Sequence, residues 1–340
     1  AMTDRPDYQE PRDEHPFAPY VRTLGKGKSG SRSLTETEAR DAFAMILRGE
    51  VQPLQLGAFL MLLRVKEETP AELAGFVRAC REVMVQPPAG LQAELDWSSY
   101  AGKRQQHPWF LLSILLLTQA GHRVFVHGCD GHTQGRLYTE SAMRQLGLPV
   151  AGSWAEVAAQ LSQSGLSYMP LRHFCFPLHG MMQLRPLLGL RSPVNTLARL
   201  LNPLRATGSV QSIFHPAYGK LHQEADRLLG QPRALVFKGE SGEIEIKPQA
   251  DTRLQLLWDG TFREITLPRT LDQRAQAVER PSVDPVRRLW NGELVHPQGL
   301  ETVLSTAAAV LLLLRPESGL EEARTEASEL WSRRNRGQLA

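Results

Sequence analysis

The side chains best equipped for chemistry are cations in glycine-bearing loops and in one arginine series. Tyr100-Ala-Gly-Lys-Arg-Gln-Gln-His107 sets Lys103, Arg104 and His107 beside a single glycine. Such groups meet phosphate by charge, but one glycine cannot supply the run of backbone N–H groups that encloses it. On composition alone this is a solvated surface loop. Arg185, Arg191, Arg199 and Arg205 follow one another through the middle of the chain. Guanidinium groups suit bidentate phosphate contacts, and several along one cleft would track a polyanion. Lys26 and Lys28 lie in a flexible basic arm, Leu24-Gly-Lys-Gly-Lys-Ser-Gly-Ser-Arg32, and Lys238 opens Lys-Gly-Glu-Ser-Gly.

Two further clusters invite a catalytic or metal reading. His127, Cys129, Asp130 and His132 share one loop, but their spacing matches no standard ligand motif, and a polar strand-to-helix loop is the simpler reading. Glu243, Glu245 and Lys247 are two apart, so on a strand they share one face and form a solvated charged row. No nucleophile elbow, Walker loop or cysteine–histidine pairing is present, so no catalytic residue and no metal ligand is assigned.

The elements that must hold these loops change character along the chain. Thr35-Glu-Thr-Glu38 and Thr69-Pro-Ala-Glu72 are capping boxes opening helices. Between them Leu54–Leu63 is apolar on most sides, which predicts burial, with a partner subunit as a natural place. From Leu95 onward strands alternate with helices. Strands are predicted at Val124–Val126, Ser209–Phe214, Ala234–Phe237, Glu243–Ile246 and Leu254–Trp258. Helices are predicted at Trp109–Ala120, Trp154–Ser164, Ala217–Leu229, Leu300–Leu314 and Glu321–Arg334. The fold class is therefore α/β: a small helical domain over 17–93, joined by helices from about 180–205, and a larger domain over 94–340 with a mostly parallel sheet. Ala1–Pro16 reads as a disordered lead without a signal peptide.

The chain has 340 residues and 42% hydrophobic content, enough for a large core in two domains. Its apolar runs are shorter than the ~20 residues of a spanning helix, so no membrane partner is expected. Three widely spaced cysteines suggest neither a disulfide framework nor a zinc site, which fits a reduced, cytoplasmic protein. The net charge of +3 conceals an asymmetry, because residues 101–240 hold 14 Lys/Arg against 6 Asp/Glu. A balance of +8 there leaves −5 elsewhere, which argues for phosphate or nucleic-acid partners.

Arg185-Pro-Leu-Leu-Gly-Leu-Arg-Ser-Pro-Val-Asn-Thr-Leu-Ala-Arg-Leu-Leu-Asn-Pro-Leu204 resembles the signature of anthranilate phosphoribosyltransferases, within the glycosyl transferase family 3 superfamily. In that family an arginine, a Leu-Gly-x-Arg step and an Asn-Pro recur in this order. The resemblance implies a sugar-pyrophosphate loop, Gly-Thr-Gly-Gly-Asp, where this chain has Tyr100–His107. It implies a His-Gly-Asn-Arg step where His127-Gly128 is followed by Cys129 and Asp130. It also implies a magnesium-holding Asp-Glu pair where Ile244 and Glu245 stand, preceded by Lys238 in place of a histidine. Arg185 falls near the family's aromatic-acid arginine.

With its basic arm and altered phosphate loop, the chain is similar to the YbiB-type branch of this superfamily. That branch implies a homodimer joined through the helical domain and DNA or RNA binding without sequence preference, with no cofactor. The phosphate ligands are then expected among Lys26, Lys28, Lys103, Arg104, His107, His127, Arg185, Arg191, Arg199 and Lys238. Lys103, Arg104 and Arg199 lead that set, because no acidic residue lies near them in sequence. The alternative is a phosphoribosyl transferase using phosphoribosyl pyrophosphate and magnesium with an unknown acceptor.

Overall fold

The computed structural model describes residues 13–131 and 133–339. Most of the expected disordered lead, residues 1–12, lies outside the described residues.

Four helices open the chain: Ala18–Gly25, Glu36–Leu47, Pro53–Lys66 and Pro70–Val83. Both capping boxes form, Thr35 with Glu38 and Thr69 with Glu72. The buried Glu72 carboxylate also accepts from Leu34 N at 3.0 Å and Lys66 Nζ at 2.7 Å, binding three segments together. Gly75 permits the close crossing of the second and fourth helices, since a Cβ there would strike the Glu36 carbonyl and the Ala39 side chain. The short helices Phe176–Met182 and Val194–Ala198 contribute Leu178, Met181, Val194 and Leu197 to the same apolar core.

The burial expected for Leu54–Leu63 is met in part within the chain itself. Phe59, Leu60 and Leu63 are buried within this chain's own helical core, while Leu54 is 88% exposed. The packed stripe here is set by Phe17 and Phe76, whose rings meet Phe59 at 5.2 and 6.1 Å.

Among the described residues one sheet contains β1 (Leu95–Ser99), β2 (Val124–Gly128), β3 (Leu166–Pro170), β4 (Gly208–Ile213), β5 (Arg233–Lys238), β6 (Thr252–Trp258) and β7 (Thr261–Leu267). Their order is β3-β2-β1-β4-β5-β6-β7. β1 to β5 pair in parallel, and β6 and β7 add an antiparallel edge. The 18-residue helix Pro297–Leu314, buried along most of its length, lies against β4, β5 and β6 and between the helices Phe110–Gln119 and Gly319–Ser332. It has the length and apolarity to cross a bilayer, yet here it is the central core helix.

β1 and β3, with sequences LDWSS and LSYMP, carry too many polar residues for an apolar-run reading. Their position between helices on both faces buries them nonetheless. Glu243–Ile246 is not a strand. Ile244 and Ile246 enter the core as the alternation implies, but the edge beside β5 is already taken by β6.

The strand order reverses direction at β1, which has β2 on one side and β4 on the other. Ligand crevices in open α/β sheets form at such a switch, beyond the carboxyl ends of the strands. The loops after β1, β4 and β5 meet there.

Candidate functional site

The loop leaving β1 builds an anion-binding nest. Gly102 adopts φ +76°, and a Cβ there would strike the Tyr138 ring. The turn directs two successive backbone N–H groups, Ala101 and Gly102, toward one point. Arg136 Nη1 donates to the Ala101 and Gly102 carbonyls at 3.0 and 3.2 Å, which holds both peptides in that orientation. At the focus sits the Glu243 carboxylate, 1% exposed. Its Oε1 accepts from Ala101 N and Gly102 N, both at 2.9 Å. Ser99 Oγ donates to its Oε2 at 2.7 Å, and Thr139 completes the serine's bonding at 2.6 Å. Thus the cradle persists with one glycine, and the chain's own carboxylate fills it.

Lys103 does not face solvent. Its Nζ lies 2.6 Å from Glu245 Oε1, and each side chain is 1% exposed. Glu245 Oε2 also accepts from Phe110 N at 3.0 Å, capping from a distance a helix whose first turn has no side-chain cap. Burial pushes the Glu245 carboxyl up to about 7, with Lys103 opposing. The expected solvated row of Glu243, Glu245 and Lys247 is therefore corrected: only Lys247 is exposed. The alternation is real, but its polar face meets the β1 loop instead of water. Where a dication would be held, the residues are Glu245, already neutralised by Lys103, and the apolar Ile244. This donor set does not fit a magnesium ion.

The two histidines of the expected set are also corrected. His127 is fully buried, with Nδ1 2.7 Å from Tyr100 Oη and Nε2 2.9 Å from Asp96 Oδ2, and it packs against Phe125 and Phe174. A ring so enclosed braces β1 against β2 and offers nothing to phosphate. His107 accepts at Nδ1 from Ser282 N at 3.0 Å, and burial pushes its pKa down. It fastens the 276–282 segment over the β1 loop, as a neutral ring. Cys129 Sγ turns to His179 Nδ1 at 3.4 Å and Gln183 Nε2 at 3.3 Å, and burial raises its thiol to about 11. His127 and Cys129 thus do not converge on a metal, and His132 lies outside the described residues.

The loop leaving β4 borders a cavity lined by arginines. The cavity, of about 370 Å³, is bounded by Arg64, Arg191, Asn195 and Arg199 on the helical side, and by Phe214, His215 and Tyr218 after β4. The Phe214 ring is shared by two guanidinium groups, Arg191 at 4.6 Å and Arg199 at 5.6 Å from its centroid. Arg199, expected beside the emptied phosphate loop as a free cation, is instead 5% exposed. Its Nη1 donates to the Asn195 carbonyl at 2.9 Å, and its Nε is buried with no acceptor. Burial pushes it down to about 10, so it remains charged at neutral pH. Burial likewise lowers Arg191, as do Arg185 and Arg136. His222, against the same wall, is pushed down to about 3 by burial and then by Arg199. Glu68, beside Thr196 and Arg64, is a carboxyl that burial pushes up.

The other expected cations are scattered. Lys26, Lys28, Arg104, Arg185 and Lys238 are exposed, and Lys238 borders a separate cavity of about 710 Å³ with Lys247 and Arg253. The cations that sequence reading missed are Arg64 and Arg136. Arg64 ends a helix more than a hundred residues upstream of Arg191, and only the fold brings them to one cavity.

The helical bundle domain of a glycosyl transferase family matches residues 18–84, and the α/β domain of that family matches residues 114–333. The chain belongs to glycosyl transferase family 3. It is 32% identical over 242 residues to the Escherichia coli K12 protein YbiB, covering 70% of this chain and 75% of YbiB. It is 30% identical over 254 residues to an anthranilate phosphoribosyltransferase of Beijerinckia indica, covering 74% and 72%. Among solved structures, the anthranilate phosphoribosyltransferase of Thermus thermophilus superposes with a TM-score of 0.77 at 23% identity over 92% of this chain and 94% of that one. The Saccharomyces cerevisiae enzyme in complex with PRPP and Mg gives 0.75 at 16% identity, over 93% of each chain. The helical-plus-α/β architecture of this chain is therefore that of the anthranilate phosphoribosyltransferases.

Proposed function

We propose that this family 3 chain binds nucleic acid, DNA or RNA, without sequence preference, on a phosphoribosyltransferase scaffold whose pyrophosphate cradle it fills itself. One observation carries the reading: Glu243 takes both backbone N–H groups and the serine hydroxyl of the β1 loop. A bound pyrophosphate would have to displace a buried carboxylate from charge-assisted hydrogen bonds. Cations meanwhile remain in water at Lys26, Lys28, Arg104, Arg185 and Lys238. Phosphate contacts of this kind act through counterion release, so log K falls with log salt.

The test is fluorescence anisotropy with random-sequence oligonucleotides across a salt series. Binding at low salt that weakens steeply with salt is expected, with little preference among sequences. Each exposed cation changed to alanine should lower the salt slope by about one unit. Absence of binding at low salt, or binding indifferent to salt, overturns the reading.

The same proposal includes a homodimer through the helical domain, supported by the exposed Leu54 and Val65 on the third helix. A monomer by light scattering at micromolar concentration would refute that part. A second reading, transfer from phosphoribosyl pyrophosphate with magnesium, draws its support from the likeness to the yeast enzyme described with those ligands. Calorimetry decides between them. Metal-dependent, micromolar binding of phosphoribosyl pyrophosphate by the unaltered protein would replace the nucleic-acid reading with the transferase one.

A further inference from the structure

We infer that the arginine cavity beyond β4 is a receptor for a phosphate monoester, the terminal phosphate of a nucleic-acid strand or of a mononucleotide. The inference deepens the proposed nucleic-acid binding and rests on it for the source of the phosphate.

Three observations carry it. First, Arg199, which lines the cavity, is nine-tenths buried and its Nε has no acceptor. A guanidinium has five N–H donors in a fixed fork. This one spends Nη1 on the Asn195 carbonyl within its own short helix. Second, Arg191 makes no hydrogen bond or ion pair among the described residues, and the ring face of Phe214 is what it touches. Two cations thus share one neutral ring, with Arg64 on the same cavity. Their mutual repulsion is relieved by an anion placed between them. The Glu243 carboxylate acts on Arg199 from the neighbouring loop, but its hydrogen-bonding oxygens are spent on the β1 nest. Third, the remaining wall offers the hydroxyl- and amide-bearing Ser192, Asn195 and Thr196, with His215 and Tyr218 opposite.

Geometry selects the ligand class. A phosphodiester inside a strand drags a sugar on both sides and carries one charge. A monoester carries roughly −1.5 to −2 charges and three free oxygens, and it enters end-on, as a guanidinium at 5% exposure demands. A flat aromatic acid is less well served, because both guanidinium groups lie against the Phe214 ring that it would stack on.

The experiment compares one oligonucleotide bearing a 5′-phosphate, a 3′-phosphate or hydroxyl groups at both ends, by anisotropy. Calorimetry with inorganic phosphate and with a nucleoside 5′-monophosphate runs alongside. A phosphorylated end is expected to tighten binding about tenfold, the value of about one charge-assisted hydrogen bond. Arg199→Met should erase that preference while leaving hydroxyl-ended binding unchanged, and the nucleoside monophosphate should compete it away. Arg191→Ala, at a half-exposed position, serves as the second variant should Arg199→Met fail to fold. Equal binding of all three ends, with no heat from phosphate or monophosphate, overturns the cavity assignment and leaves the nucleic-acid reading standing. Monophosphate binding that depends on Arg199, with no oligonucleotide bound at any salt, upholds the site and overturns nucleic acid as its source.

Discussion

The β1 nest and the β4 cavity lie at the ends of neighbouring strands, and both are built for an anion. Only the first is filled by the chain itself. The nest consists of backbone N–H groups, which are held in place by the fold and cannot turn away when unbound. Leaving them buried and unpaired is costly, and Glu243 resolves that cost permanently. The cavity consists of guanidinium groups on jointed side chains, which settle on an aromatic face. A fixed donor set demands a resident anion, whereas a jointed one can rest on a neutral ring and stay available for a visitor.

The comparison breaks first, if it breaks, at the ion pair supporting the filled side. Lys103→Met leaves Glu245 buried without its counter-charge and should cost about 3–5 kcal/mol in urea unfolding. Lys103→Met combined with Glu245→Leu should cost less than Lys103→Met alone. With a folded pKa of about 7, above the unfolded carboxyl value, Glu245 favours the folded state more as pH falls. The loss in Lys103→Met should therefore shrink on going from pH 8 to pH 5. A variant as stable as the parent would show that the loop does not need its internal charges.

Glu243→Ala sharpens the contrast by emptying the nest. It should lose about 2–3 kcal/mol through unpaired buried donors. Millimolar inorganic phosphate or pyrophosphate should then raise its Tm, while leaving that of the parent unchanged. If no anion stabilises the variant, the two N–H groups are not a preformed site.

On the cavity side, titration separates two buried groups. The folded pKa of His222, about 3, lies below its ordinary value. The unfolded state therefore binds more protons between pH 6.5 and 3, and this group loses stability as pH falls. Asp226 behaves oppositely, since burial raises its carboxyl to about 7 and its contribution grows as pH falls from 7 toward 4. His222→Gln removes the first effect and leaves the second. Its stability, measured by denaturant melts from pH 7 to pH 5, should therefore gain on the parent as the solution is acidified. Parallel curves would mean that His222 takes up its proton in the folded chain as readily as in the unfolded one.

The smallest effect belongs to Arg199→Met. An unpaired buried cation contributes little to folding, so stability should stay within about 1 kcal/mol of the parent. A loss several times larger would make Arg199 a structural residue and collapse the distinction between the two sites.

Legibility differed between these regions for a physical reason. Helix starts were readable because a cap is local: Thr35 and Glu38, like Thr69 and Glu72, satisfy N–H groups three residues away. β2, β4, β5 and β6 were readable from apolar runs, but β1 and β3 were not, because Asp96, Ser98, Ser99 and Ser167 are buried by neighbours that pattern does not reveal. In the site, Arg191 and Arg199 were named among four arginines and the fold places both on one cavity, whereas Lys103 was misjudged. Its partner Glu245 lies 142 residues away, so a search for sequence-near acids could not find it.

The sequence by itself determined the family, the helical-then-α/β order, the basic middle section and the departure from a glycine-rich phosphate loop. Those features depend on residue type, short-range spacing and motif order, which a linear chain carries openly. Only the tertiary structure decided that the cradle survives with Glu243 inside it, that Lys103 and His127 are spent internally, and that Arg64 joins Arg191 and Arg199 around one cavity. Whether a charge is available or already satisfied depends on what stands within a few ångströms of it. Chain folding sets that neighbourhood by burying Ile244 and Ile246, which swings the alternating Glu243 and Glu245 onto a loop formed far earlier in the sequence.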